Sequence, residues 1–167
     1  MSTKLYWVEG PWPGKLALAA RPRGGDWLED EISAWRHAGI DAVLSLLTVE
    51  EQKELDLADE SSRVKSAGMK FYCLPIPDRQ PPLTESEVRK AAEEIGRTLE
   101  AGKNVLIHCR QGIGRSGLMA ACLLITKGLS SGAAVESVTA ARGTPVPETP
   151  EQRRWIDHYA ASFADAK

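Results

Sequence analysis

The chain has 167 residues, 43% hydrophobic and 26% charged, with a formal net charge of −2. That composition fits one soluble, globular domain, large enough to hold a core without disulfide staples. It argues against nucleic acid as a partner, since there is no basic domain or Lys/Arg run, and against a membrane span, since no window approaches about 18 apolar residues.

Three cysteines, Cys73, Cys109 and Cys122, are an odd number without metal-ligand spacing. A disulfide framework, a metal site and a cofactor are therefore not expected, and a reducing, cytoplasmic location is. The N-terminus lacks an apolar stretch of signal-peptide length. Oligomeric state leaves no trace in the sequence.

Leu5–Val8 and Lys15–Ala19 read as two short strands around a Gly-Pro turn. Asp26 stands where an N-cap belongs, ahead of Trp27, Leu28, Ile32 and Trp35 on one helical face, and Gly39 ends that helix. The Trp-rich N-terminal stretch is read as core packing. Ala42–Leu47 reads as a buried parallel strand. One charged helix is expected from about Glu50 to Ala67, with Gly68 as its stop. Phe71–Ile76 is the next strand. Pro75, Pro77, Pro81 and Pro82 turn the stretch after it into a loop.

Thr84 with Glu87 forms a capping box for a helix running to about Ala101, before Gly102. Val105–His108 is a further buried strand. A glycine-rich loop leads into a helix from about Gly114 to Lys127. Ser130 or Ser131 caps another to about Ala141, and a last helix covers Glu148 to Ala164. Strands alternating with helices imply one α/β domain over residues 1–167. The expected architecture is a three-layer α/β/α sandwich with a mostly parallel central sheet, helices crowding its C-terminal half.

The informative segment is His108-Cys109-Arg110-Gln111-Gly112-Ile113-Gly114-Arg115-Ser116-Gly117, where a buried strand gives way to a helix. In open α/β sheets ligands bind at that end of the strands. Two glycines let successive backbone N–H groups turn into one concavity, an anion site backed by a helix N-terminus. The amides from Arg110 through Gln111, Gly112, Ile113 and Gly114 to Arg115 would form the cradle. Cys109 lies at its lip, and such settings lower a thiol pKa from about 8.5 to roughly 3.5–7.5. A thiolate there can attack phosphorus and divide one hard displacement into two easier ones. Arg115 offers a planar fork to two phosphoryl oxygens. Five residues between Cys109 and Arg115 let the loop circle one tetrahedral anion.

On these residues the chain resembles the protein tyrosine phosphatase superfamily, whose signature is His-Cys, five residues, Arg, then Ser or Thr. Its length is similar to that of the small dual-specificity phosphatases. Leu74-Pro75-Ile76-Pro77-Asp78 and Ala141-Arg142-Gly143 followed by Pro147 to Gln152 resemble the compact branch of kinase-associated, Cdc14-like and PRL-like phosphatases. The resemblance covers roughly the second half of the chain and implies Cys109 as nucleophile and Arg115 as phosphate ligand. It implies Ser116 as a hydrogen-bond donor to the sulfur, His108 as the residue ordering the loop, Asp78 as general acid 31 positions before Cys109, and Gln152 as a water-positioning group. The substrate class implied is a phosphorylated protein, or a small phosphomonoester, with phosphotyrosine and phosphoserine or phosphothreonine both admitted.

Other readings stand beside these. Asp78 also suits a Pro-Asp-Arg turn, and Glu50 and Glu51 are reserve candidates for the acid. Cys73 and Cys122 read as core residues, and His37 and His158 as surface residues. Arg79 and Arg142 could extend the positive field or serve as salt-bridge partners, and Gln152 could be an exposed first-turn residue. The whole domain could be a catalytically weak phosphate-binding module of the same fold, or perform related sulfur chemistry such as arsenate reduction or sulfur transfer.

Overall fold

In a computed structural model that describes residues 3–165, the apolar runs become five strands. These are β1 (Tyr6–Val8), β2 (Leu16–Ala19), β3 (Ala42–Ser45), β4 (Lys70–Cys73) and β5 (Val105–His108). The helices are α1 (Leu28–His37), α2 (Val49–Glu54), α3 (Glu60–Ser66), α4 (Glu85–Glu100), α5 (Gly114–Thr126), α6 (Ser131–Arg142) and α7 (Pro150–Asp165). The strand order is β1-β2-β5-β3-β4, with only the β1–β2 pair antiparallel. The expected mostly parallel α/β sandwich is thus present as one domain. Residues 1, 2, 166 and 167 of the predicted span lie outside the described residues.

β5 sits at the centre, which explains why Val105-Leu106-Ile107-His108 shows no polar–apolar alternation: all four residues are buried. The two-residue period of a strand still sorts them. Val105 and Ile107 join a cluster with residues of α4, α5, α6 and α7, whereas Leu106 packs with Leu28, Ile32, Trp35 and Val64 of α1 and α3. Each large apolar side chain buried this way contributes roughly 1.5–3 kcal/mol. α5 is enclosed by its neighbours, so every residue from Gly114 to Ile125 is buried. Among the described residues no helix is long and apolar enough to cross a membrane.

The single charged helix expected over 50–67 is broken in two. Asp56 turns into the left-handed region at φ 57°, and Leu57, in the break, is fully buried. Glu51 and Glu60 are nine positions apart. On an unbroken helix at about 100° per residue they would face opposite ways; the break lets both point inward.

Three local expectations also change. Asp26 lies within a 3-10 turn, Gly25–Trp27, and α1 starts from Trp27 without a side-chain cap. β4 is an edge strand, half-open to solvent, because it pairs only with β3. Of the N-terminal tryptophans, Trp12 and Trp35 are core, but Trp7 and Trp27 are exposed.

Candidate active site

The C-terminal ends of β5, β3, β4 and β2 converge on one edge of the sheet, and each delivers a piece of the site. β5 ends at His108 and leads into the Cys109–Arg115 loop. The Cys109 sulfur is nearly buried, and the Gly112 N–H donates to it over 3.2 Å. Three loop carbonyls are tied away from the sulfur. Arg110 O accepts from the Arg21 N–H at 3.2 Å, Gln111 O from Arg142 Nη2 at 3.2 Å, and Gly112 O from Arg142 Nε at 3.0 Å. A trans peptide directs its C=O and N–H oppositely. Anchoring these carbonyls therefore turns the N–H groups of Gln111, Gly112 and Ile113 to the other side, the concavity expected from the sequence. Gly112 must be glycine: its φ is +74°, and a Cβ would lie 2.6 Å from the Ala19 carbonyl carbon.

Arg115 is buried, at 1% exposure, and its guanidinium is engaged from several sides. Nη1 donates to Glu51 Oε1 at 2.7 Å and to Ile76 O at 2.8 Å; Nη2 donates to Glu51 Oε2 at 2.9 Å and to Asp78 Oδ1 at 2.9 Å. Burial opposes its charge, but the Glu51 hydrogen bonds and the neighbouring charges of Cys109, Glu51 and Asp78 outweigh it and raise its pKa. Glu51 is held by local chemistry as well, since Thr48 and Glu51 form a reciprocal capping box at the start of α2. Burial pushes the Glu51 carboxyl up, yet its bonds to Arg115, the Thr48 N–H and Arg110 prevail and bring it from 4.5 to about 2.

That depression has a consequence for stability. A carboxyl whose folded pKa lies below its unfolded value stabilises the fold above the unfolded pKa and loses that contribution as pH falls through the folded one. Denaturant melts should therefore show stability falling between about pH 4.5 and 2, and Glu51→Gln should flatten that limb. An unchanged slope in the variant would count against the pairing.

Asp78 sits on the loop after β4, 45% exposed at its side chain, with one oxygen on Arg115 and the other 3.9 Å from Arg110 Nε. Glu51 is tied to both arginines, and Glu50, exposed on α2, has no bond to either among the described residues, so neither reserve acid combines exposure with contact to Arg115 as Asp78 does. Arg110 reaches Glu51 and Glu54, both at 3.2 Å. The Glu51 hydrogen bond is the main reason its pKa is raised.

Gln152 is buried, not exposed. Its Oε1 accepts from the Glu148 and Thr149 N–H groups, and Nε2 donates to Gln80 O at 3.2 Å. It also abuts the loop, since a Cβ on Gly114 would lie 3.0 Å from Gln152 Oε1. Gln152 thus braces the Asp78 loop, the start of α7 and the nucleophile loop together. Arg79 pairs with Glu148 at 3.0 Å and reinforces the same junction. Arg142 forms no ion pair among the described residues, and its charge stands against the nucleophile loop. It braces loop carbonyls while lying 4.0 Å from the Tyr6 ring centroid.

His108 is fully buried, and its Nε2 lies 2.5 Å from Glu60 Oε2. Ser116 is buried beside the nucleophile loop, but its hydroxyl has no hydrogen-bond partner among the described residues, so the expected bond to sulfur is not formed. Cys122 is core, and burial holds its thiol far above the ordinary range. Cys73 is exposed rather than core, because β4 is an edge strand. Burial of its thiol group and the nearby Glu60 charge raise its pKa, against a hydrogen bond from Gln52. His37 and His158 lie on the surface.

Sequence reasoning missed the tasks of Glu51, Glu54 and Glu60. Only Glu51 carried a signal, the Thr48-x-x-Glu51 capping pattern within a helix that was expected to start nearby.

A family model described as "Polymorphic toxin system, DSP-PTPase phosphatase" matches residues 18–129, more than half of the chain. The chain is 27% identical over 139 residues to cyclin-dependent kinase inhibitor 3 of Rattus norvegicus, covering 82% of this chain and 65% of that protein. It therefore spans just under two thirds of that relative's length. Among solved structures, kinase associated phosphatase carrying a serine in place of its catalytic-site cysteine superposes with a TM-score of 0.90 at 22% identity, covering 98% of this chain and 97% of that one. Tk-PTP in its active form superposes with a TM-score of 0.77 at 26% identity, covering 94% and 96%.

Proposed function

This chain belongs to the DSP-PTPase phosphatase family of polymorphic toxin systems, and we propose that it hydrolyses phosphate monoesters on proteins through a phosphocysteine at Cys109. One observation carries the reading: a nearly buried sulfur receives a loop N–H at 3.2 Å, in the site where the Arg115 fork holds Asp78 at 2.9 Å. Nucleophile, anion ligand and proton carrier thus share one mouth.

In the first step the Cys109 thiolate forms an S–P bond as the ester P–O bond breaks. The leaving oxygen takes its proton from Asp78. Phosphoryl oxygens compete with Asp78 for Arg115 Nη2, so substrate arrival frees the half-exposed carboxyl to turn toward the leaving group. The amides of Gln111, Gly112 and Ile113, turned inward by the anchored carbonyls, receive the equatorial oxygens, where charge develops. In the second step the Asp78 carboxylate takes a proton from water. The water oxygen bonds to phosphorus, the S–P bond breaks, and phosphate departs with the thiolate restored. The unpartnered Ser116 hydroxyl is available to hydrogen-bond the departing sulfur, and the second Nε2–H of Gln152, left over beside Gly114 after the bond to Gln80 O, is the group assigned to orient the water. Three free thiols suit a reducing compartment such as the cytoplasm.

Phosphotyrosine and phosphoserine or phosphothreonine are both admitted as substrates. The test is leaving-group dependence. Asp78→Asn should lower kcat by roughly 10²–10⁴-fold on a phosphoserine peptide, whose alkoxide needs a proton, and far less on p-nitrophenyl phosphate. Equal losses on both would remove Asp78 from the role of acid, and an inert wild-type chain would overturn the reading as a whole.

A further inference from the structure

The nucleophile is preceded by a buried polar pair that the reaction above does not use. His108 is the last residue of β5, and its side chain takes the α1/α3 face of the sheet, where its ring stands 5.9 Å from that of Trp35. Its neighbours in register are Ala19 and Ser45, both small, which leaves space for a partner from a helix. That partner is Glu60, from the first turn of α3, 48 positions away; the two side chains are 0% and 2% exposed. Glu60 reaches His108 only because the helix expected over 50–67 breaks at Asp56 and Leu57. Burying a carboxylate and an imidazole is costly unless they bond to each other. Glu60 Oε1, His108 Nδ1 and Trp35 Nε1 have no hydrogen-bond partner among the described residues, so the Oε2–Nε2 contact is the one polar restraint found on that ring.

The backbone at this point is also held: His108 O accepts from the Leu46 N–H at 3.0 Å. Side chain and main chain together fix the residue from which Cys109 departs into the loop. We propose that Glu60 is a positioning residue for the nucleophile. Its carboxylate keeps the proton of His108 on Nε2 and the ring in one orientation, and so sets where Cys109 stands relative to the cradle. This rests on the reading of Cys109 as the attacking group. Arg115 is anchored separately through Glu51, so loss of Glu60 should disturb attack more than binding.

The test uses the full chain with ¹⁵N-labelled histidine. In Glu60→Met the acceptor is gone. The one-bond Nε2–H signal of His108 should disappear, kcat on p-nitrophenyl phosphate should fall about 10- to 100-fold with KM changed less than about twofold, and the rate of Cys109 alkylation by iodoacetamide at one fixed pH should change by at least about threefold. In Glu60→Gln an acceptor oxygen remains, so the signal should persist and kcat stay within about threefold of wild type. Circular dichroism melts confirm that each variant is folded at the assay temperature.

A folded Glu60→Met protein with unchanged kcat and alkylation rate overturns the proposal. So does any variant in which signal and kcat part company, one lost and the other kept. If Glu60→Met does not fold, Glu60→Gln decides alone by that same criterion. If the wild-type chain releases no phosphate, the functional reading fails, while the imidazole signal and the alkylation rate still decide whether Glu60 positions Cys109.

Discussion

Arg115→Met is expected to abolish turnover and, in the same protein, to lower stability by roughly 3–5 kcal/mol, the usual cost of breaking a buried ion pair from one side. The turnover loss has a geometric cause: methionine fills similar space but offers no donors to the phosphoryl oxygens. The stability loss comes from the groups left behind. Glu51, held near a pKa of about 2 largely by Arg115, would stay buried with its main counter-charge removed. It would keep the Thr48 N–H and Arg110, so the cost should lie towards the lower end. Ile76 O would also lose its 2.8 Å donor. Urea melts and p-nitrophenyl phosphate assays on one preparation measure both effects. Arg115→Lys separates them. The ammonium restores charge beside Glu51 and much of the stability, but not the planar fork, so kcat/KM should stay roughly 10²–10³-fold down. A wild-type melting curve for Arg115→Met would show that the Glu51 pairing holds nothing together.

Cys109→Ser is the second large effect and differs in kind. The substitution is nearly isosteric at a site only 2% exposed, and Arg115, though it loses the neighbouring sulfur charge, keeps its bonds to Glu51 and Asp78, so the melt should change little. The loop carbonyls stay tied to Arg21 and Arg142, and the inward amides persist. Serine, without an adjacent general base, is a far weaker nucleophile than a thiolate. Turnover should drop by at least about 10⁴-fold while phosphorylated ligands still bind, because the cradle and the Arg115 fork are intact. Binding of a phosphotyrosine peptide with no phosphate released is the expected pair of readings. Residual turnover above about 1% in protein free of wild type would mean that some other group attacks phosphorus.

How much of this site could be read from the chain differs from residue to residue. Cys109, the two loop glycines and Arg115 are contiguous, and their separation is itself the geometric requirement, since a short loop must close around one anion. Gly112 is an example: its φ of +74° and the Ala19 backbone behind it leave no room for a side chain. Asp78 was legible because prolines on both sides stop the chain from continuing as strand or helix at the sheet edge. Glu51 was half-legible through Thr48, but its pairing with Arg115 was not. Glu60 was invisible, since the break at Asp56 that delivers it has no glycine or proline to announce it. Cys73 was misplaced because an apolar run does not reveal whether its strand lies in the middle of a sheet or at its rim.

Composition and local order were enough to establish an α/β domain and the strand–loop–helix that carries sulfur and guanidinium, and to point to the chemistry proposed for those two groups. Spacing along a chain governs contacts within a turn or two, and those parts are all of that kind. The bonds that hold Arg115, His108 and Gln152 in place cross 64, 48 and 72 positions. They exist because the order β1-β2-β5-β3-β4 brings β5 beside β3 and gathers the strand ends at one edge. Which carboxylates would meet there depended on packing and had no local signature.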